Sequence, residues 1–238
     1  MYSLISLAQQ DRYRISPVFL TARCESVIPQ ISRALSLERA SIPEWAQIVL
    51  DIGCGDGQGT LQAASKTPCS GTVRFISGID IDMASLSRCK AHVPHLHCVQ
   101  ARGEQLPFRD KTFDYVMSAV ALPYMDLTRA LLEIHRVLKP GGELWASLHP
   151  QLFVWHHLLR SIRMLNWKDI LYRTYVLLNG IGFHFTSKLL RFPLKRKRIE
   201  SGQTFRGMTL ALRSAGFTDI VMRKSGYRFV VVARCPFR

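Results

Sequence analysis

An apolar run that ends on an acid and then meets glycine at every second position leaves a chain few conformational choices. Residues 48–60 read I-V-L-D-I-G-C-G-D-G-Q-G-T. Ile48, Val49 and Leu50 supply a buried strand, Asp51 closes it, and Gly53, Gly55, Gly57 and Gly59 make the turn. Glycine takes positive φ without steric cost and puts no Cβ between the backbone and a ligand. A helix starting near Thr60 would aim its N-terminal amides at the same place. The stretch therefore predicts a ligand-binding turn at the carboxyl edge of a parallel sheet.

The pattern beyond it supports such a sheet. Strands are predicted near 47–51, 74–80, 95–100, 113–118 and 142–148, with helices near 59–66, 83–91 and 126–138. Strands alternating with helices make a mostly parallel sheet covered on both faces. Lys139-Pro140-Gly141-Gly142 reads as a turn in which proline stops the helix and the glycines start the next strand. A helix over 205–215 ends at Gly216. Strands over 217–223 and 227–233 follow, close enough across Ser225-Gly226 to form a hairpin. The expectation is an α/β chain with a seven-stranded, mostly parallel sheet and a C-terminal antiparallel hairpin. One domain is expected, in four parts: an N-terminal helical cap over 1–46, with an amphipathic helix at 27–37; a core over 47–149; a helical insertion over 150–203; and a last helix and hairpin over 204–238.

Composition restricts the partners. The 238 residues carry a formal charge of +15 and a pI of about 10.0, which favours anionic partners over acid-binding ones. Residues 151–206 hold 11 of the basic residues against only Asp169 and Glu200, a net +9. Cys24, Cys54, Cys69, Cys89, Cys98 and Cys235 form no C-x-x-C and no zinc spacing. They read as reduced thiols of a cytoplasmic protein that holds no metal. No basic, apolar leader opens the chain and no apolar run approaches membrane-spanning length, so neither a signal peptide nor a transmembrane helix is expected.

The glycine turn can be sorted further by spacing. A dinucleotide turn, G-x-G-x-x-G, needs glycine at 58, where Gln58 stands, and no G-K-[ST] follows to make a P-loop. The D-x-G-x-G-x-G that is present resembles motif I of class I S-adenosylmethionine (SAM) dependent methyltransferases. The resemblance continues through Gly78-Ile79-Asp80, Leu106-Pro107-Phe108, Phe113-Asp114-Tyr115-Val116-Met117-Ser118, the stretch L-L-E-I-H-R-V-L-K-P-G-G-E-L at 131–144, and Ala215-Gly216-Phe217. It covers residues 47–149 and 204–235 and is nearest to the subgroup of ubiquinone and menaquinone biosynthesis methyltransferases. It implies a Rossmann-like fold, SAM as cofactor, and Asp51, Gly53, Cys54, Gly55, Gly57, Asp80, Ile81, Gly103, Glu104 and Ser118 as cofactor-binding residues. Asp80 would accept from the ribose hydroxyls, as a carboxylate can from both at once, and Ile81 would flank the adenine. Cys54 reads as a small residue of the turn rather than a nucleophile. Asp51 has a second reading as a cap of the turn or the next helix, and Asp82 reads as an N-cap. One position departs from the family: Arg102 stands where many relatives have an aspartate that receives the adenine amino group, and arginine cannot accept that bond.

Methyl transfer requires alignment and exclusion of water, and needs a base only when the acceptor must lose a proton. Candidates at the sheet edge are His149, after the fifth strand, and Tyr124, after the fourth. His149 could be a general base or a structural hydrogen bond to its loop; His135 reads as surface. Ser118-Ala119-Val120-Ala121 is not the [DN]-P-P-[YF] that accompanies methylation of exocyclic base amines. No cysteine stands where cytosine C5 methylation would need one. The basic, aromatic insertion leaves the acceptor open. Residues 170–185 could lie on an anionic membrane surface, or close over a small or lipid-like, anionic acceptor. Lys195–Arg198 could hold nucleic-acid phosphate, a less favoured partner; the insertion could also be a lid with a solvated basic face. The reading favoured is a cytoplasmic SAM-dependent methyltransferase, with membrane contact at most peripheral. An RNA methyltransferase and a SAM-binding protein without transfer are the rivals.

Overall fold

The computed structural model describes residues 41–66, 73–148, 151–165, 167–189, 200, 202–225 and 228–237. The helix expected at 27–37, His149, Lys195–Arg198, Cys24 and Cys69 lie outside the described residues.

The elements run β1 (Ile48–Ile52), α1 (Gln58–Ser65), β2 (Phe75–Asp80), α2 (Met83–His92), β3 (His97–Gln100), β4 (Phe113–Ala119), a 3-10 turn (Leu122–Tyr124), α3 (Leu127–Val137), β5 (Leu138–Leu148), α4 (Gln151–Arg163), α5 (Trp167–Thr186), α6 (Phe205–Ser214), β6 (Thr218–Ser225) and β7 (Arg228–Arg234). They form one seven-stranded sheet in the order β3-β2-β1-β4-β5-β7-β6. Pairs from β3 to β5 are parallel, and β7 runs antiparallel to both β5 and β6. This is the mostly parallel sheet that the alternation predicts and the Rossmann-like arrangement that the resemblance implies. The chain winds outward from β1 through β2 to β3, then returns to place β4 on the other side of β1. The turn after β1 therefore sits where the winding reverses, the position at which open α/β sheets form a crevice.

Side chains of period two separate the two faces. Leu50 and Ile52 join Val116, Leu144, Ala146 and Val231 in the larger core, under Leu131 and Ile134 of α3 and Met208 and Leu212 of α6. Val49, Tyr115, Met117, Trp145, Val230 and Val232 face the other way, against Ile42, Ala46 and Ala63. Helix α3 buries Leu127, Ala130, Leu131, Ile134 and Val137, a spacing that puts all five on one stripe. Each fully buried leucine of that stripe contributes roughly 1.5–3 kcal/mol.

Two expectations are corrected. Lys139–Gly142 is no free turn: α3 passes directly into β5, and the four residues bulge between the Phe113–Leu138 and Tyr115–Glu143 pairs. The bulge is held from outside, by Lys139 Nζ on Asp114 Oδ1 at 2.7 Å and by the Gly141 amide on the Cys235 carbonyl at 2.9 Å. Gly141 takes the kink at φ +79°. His135 is not surface but half-buried, with Phe217 edge-on at 5.2 Å and Cys235 Sγ at 3.5 Å from Nε2. Burial holds its pKa below the usual histidine range.

The insertion forms a helix pair. Val154 and Leu158 of α4 meet Val176 and Leu177 of α5 in a small separate core, while Phe183 at the far end of α5 joins the main one. No helix among the described residues is long and apolar enough to cross a membrane.

Candidate functional site

The site starts where β1 runs out. The amides of Gly53 and Cys54 both donate to the Ile79 carbonyl, at 2.8 and 3.0 Å, so the turn is fastened to the end of β2. Gly53 sits at φ +78°, and a Cβ there would lie 2.3 Å from Ala121 Cβ. Gly57, at φ +82°, is the N-cap of α1, and a Cβ on it would meet Cys89 Sγ at 2.7 Å. Close approach and left-handed backbone both require glycine at these two positions. At Gly55 the surroundings are different: among the described residues nothing lies within 4 Å of where its Cβ would be.

Two carboxylates serve this turn. Asp80 Oδ2 accepts from the Gly55 amide at 2.9 Å and Oδ1 from the Asp82 amide at 2.9 Å. Asp82 is the N-cap of α2, as expected, accepting from the amides of Ala84 and Ser85. Asp51 is buried; its Oδ2 accepts from Thr60 Oγ1 at 2.5 Å, while Oδ1 is buried with no partner among the described residues. Burial raises its pKa to about 6, the Thr60 hydroxyl opposes the rise, and the Asp80 charge adds to it. That bond joins Asp51 to a side chain within α1 rather than capping a backbone amide, and one oxygen is still unmatched among the described residues.

A cavity of about 620 Å³ opens beside the turn. Of the residues expected to bind cofactor, Gly53, Asp80, Ile81, Gly103 and Glu104 line it; so does Tyr124. Asp51, Cys54, Gly55, Gly57 and Ser118 are not among its lining residues; of these, Asp51, Cys54, Gly57 and Ser118 are buried, and Gly55 is partly exposed. Ser118 is fully buried and its hydroxyl donates to the Ile52 carbonyl at 3.0 Å, so it joins β4 to β1. Cys54 lies beneath the turn against Gly78, near Cys89, whose sulfur is 2.9 Å from that of Cys98. Burial pushes the Cys54 and Cys89 thiols well up, which leaves them neutral and poor nucleophiles. Among the described residues no cluster of His, Cys, Asp or Glu could hold a metal ion.

The opposite wall comes from residues that sequence reasoning missed: Ala121, Met125, Asp126 and Arg129, on and after the 3-10 turn. Glu104 reaches them, its Oε1 accepting from the Asp126 amide at 2.9 Å. Asp126 in turn caps α3, and an acid just before an apolar periodic run was the available signal. Val120, between β4 and this turn, is held at φ +66°, strained for a β-branched residue. Arg102 is exposed on the wall and pairs with Gln105 in a short bridge.

The loop that carries Gly103 and Glu104 is clamped from below. Arg136 of α3 donates to the carbonyls of Leu106 and Phe108, at 3.0 and 2.8 Å, and to Asp110 at 2.7 Å. Its partner Glu133 takes two more of its N–H groups and accepts from the Leu106 amide at 2.8 Å. Hydrogen bonding to Arg136 holds the Glu133 carboxyl below its ordinary value.

At the rim, Tyr124 is half exposed, and its hydroxyl is pushed up by burial and by Glu200, with Arg173 opposing. Glu200 accepts from the Tyr172 hydroxyl and lies 3.8 Å from Arg173 Nη1. This charged group faces Tyr124 from the insertion, and its residues gave no local signal in the sequence.

A family model described as a methyltransferase domain matches residues 50–146. An uncharacterized methyltransferase of Synechocystis sp. is 40% identical over 111 residues, covering 45% of this chain and 49% of that protein. A phthiotriol/phenolphthiotriol dimycocerosates methyltransferase of Mycobacterium tuberculosis is 34% identical over 148 residues, 56% of this chain and 50% of its own. The chain thus spans about half the length of these curated relatives. A solved SAM-dependent methyltransferase of Methanosarcina mazei shares the fold, with a TM-score of 0.55 over 88% of this chain and 98% of its own at 21% identity.

Proposed function

The chain carries a methyltransferase domain of the class I SAM-dependent type, and from that premise we propose that it transfers a methyl group from SAM to an apolar, lipid-like acceptor. The observation that carries the cofactor assignment is the pairing of Asp80 with the Gly55 amide beside the cavity. The residues fit a cationic nucleoside. Asp80 has used one acceptor site on each oxygen, and an ionised carboxylate has about four in all, so sites are left for two ribose hydroxyls. Ile81 is exposed beside it and offers an apolar face to a base. Gly103 brings backbone to the same wall, and the unmatched oxygen of Asp51 adds negative charge behind the turn.

SAM supplies an electrophilic methyl group when bound. The chain's part is to hold the acceptor atom in line and keep water out. Tyr124 keeps its hydroxyl proton, since burial disfavours the phenolate, and so positions an acceptor by hydrogen bonding. Arg173 and Glu200 close the same side. His149, next after β5, is the residue assigned to take a proton where the acceptor must lose one. Support for a lipid-like acceptor comes from the Mycobacterium tuberculosis relative, which acts on phthiotriol lipids by name, and from the apolar helix pair that follows β5.

The test is incubation of the protein and a cell extract with methyl-labelled SAM, followed by partition into organic-soluble, nucleic-acid, protein and small-molecule fractions. Label in the organic phase is expected. Label confined to RNA would replace the acceptor assignment, and no transfer to any fraction would reject methyl transfer.

A further inference from the structure

Helices α4 and α5 each carry two apolar stripes, and only one of each is needed to hold them together. Val154, Leu158 and the Val176–Leu177 step are buried between them. On the outer side of α4, Trp155, Leu159 and Ile162 follow one another at i, i+4 and i+7, and all three are about half exposed. On α5, Trp167, Leu171, Leu178, Ile181 and Phe185 repeat the pattern and are exposed as well. The stripes meet where the helices join: Met164 is 69%, Leu165 86% and Trp167 67% exposed. Exposed large apolar side chains gathered this densely on two neighbouring helices mark an interaction site rather than a solvated face.

Cations ring that junction. Arg160, Arg163 and Lys168 are exposed, and none makes an ion pair among the described residues, Lys168 lying 5.6 Å from the Trp167 ring. The nearby acid among the described residues, Asp169, is partly exposed and already engaged, accepting from the Ser161 hydroxyl at 2.5 Å and lying 3.7 Å from Arg173. The tip is therefore apolar at its end and net positive at its shoulders.

We propose that the α4–α5 junction is a membrane-docking tip that inserts Met164, Leu165 and Trp167 into the interface of an anionic bilayer. Tryptophan is favoured at that depth, Arg160, Arg163 and Lys168 reach the headgroups along their apolar stems, and each basic residue adds electrostatic attraction. A second copy of the chain fits poorly on the same surface, because pairing the tips would bring three cations against three. The helices lie on the bilayer and do not cross it. This docking rests on the helix surface alone, so it stands or falls apart from methyl transfer.

Co-sedimentation with vesicles tests it without any substrate. Vesicles of phosphatidylcholine alone and of phosphatidylcholine mixed with phosphatidylglycerol are compared. Wild-type protein is expected to pellet with the anionic vesicles, with a blue shift of tryptophan emission that Trp167→Phe reduces. Leu165→Asp with Trp167→Ser, and separately Arg160→Glu, Arg163→Glu and Lys168→Glu combined, should each lower the bound fraction at least about tenfold. Leu165 stands at φ +50°, which aspartate tolerates better than leucine, so the first variant should keep its fold and its thermal unfolding. Wild type remaining in the supernatant with both vesicles overturns the proposal, as does undiminished binding by the tip variants. Self-association that Leu165→Asp abolishes, without vesicle binding, overturns it in favour of a second copy.

Discussion

Asp80 Oδ2 accepts the Gly55 amide at 2.9 Å while its Oδ1 accepts the Asp82 amide at the same distance. One carboxylate thus fixes the turn after β1 and the entry to α2. The wall of the crevice that these two segments form is set before a ligand arrives, so little ordering of it is left for binding to supply.

Asp51 should trade stability for binding. Its folded pKa of about 6 lies above the ordinary 3.8, with burial as the main cause. The folded state therefore holds the proton more tightly than the unfolded one. Stability from this group is greatest below the ordinary value, falls as pH rises toward about 6, and stays reduced above it. Asp51→Asn should raise the stability at neutral pH by up to about 2–3 kcal/mol in urea unfolding. The same variant should weaken SAM binding. In wild type, affinity should rise as pH passes upward through about 6, and in Asp51→Asn that rise should vanish.

Gly53→Ala should cost roughly 2–4 kcal/mol, from left-handed strain and from the clash with Ala121. Adding Ala121→Gly should restore only the packing part, because the Cβ 2.3 Å away is removed and φ +78° is not. Thermal unfolding of the two variants separates the contributions.

Val120→Gly should act in the opposite direction. It relieves φ +66° next to the wall residue Ala121 and should raise stability by up to about 1 kcal/mol. Methyl transfer should slow, because the freed backbone no longer fixes the wall. Denaturation and turnover measured on one preparation check both signs.

Arg136→Met should release the loop that carries Gly103 and Glu104. Five hydrogen bonds from Arg136 are lost. With its side chain 31% exposed, solvent moderates the cost to about 2 kcal/mol. Hydrogen exchange should quicken at residues 102–108 more than in β1.

What was legible in the sequence was local. The Asp51–Gly57 turn announces itself because glycine and acid act within a few residues, and the Asp82 cap does so for the same reason. What was misread depends on distant partners. His135 is covered by Cys235, 100 positions away, and the Lys139–Gly142 bulge is held by Asp114 and Cys235. Ser118 sits at the right strand end, but the pleat turns its hydroxyl onto β1 instead of into the cavity. Met125 and Arg129 became wall residues because a 3-10 turn follows β4, and Leu122-Pro123-Tyr124 carries only a weak signal for one. The insertion's basic, apolar composition was plain, whereas its two stripes per helix appear only once the helices are paired.

The central claim is that this turn holds SAM, and calorimetric titration of SAM into wild type and Asp80→Ala tests it most directly. One saturable site is expected in wild type, with affinity lowered by roughly 1–3 kcal/mol in the variant, the scale of a lost hydrogen bond to a charged group. No binding by wild type, or equal affinity in the two proteins, would contradict it.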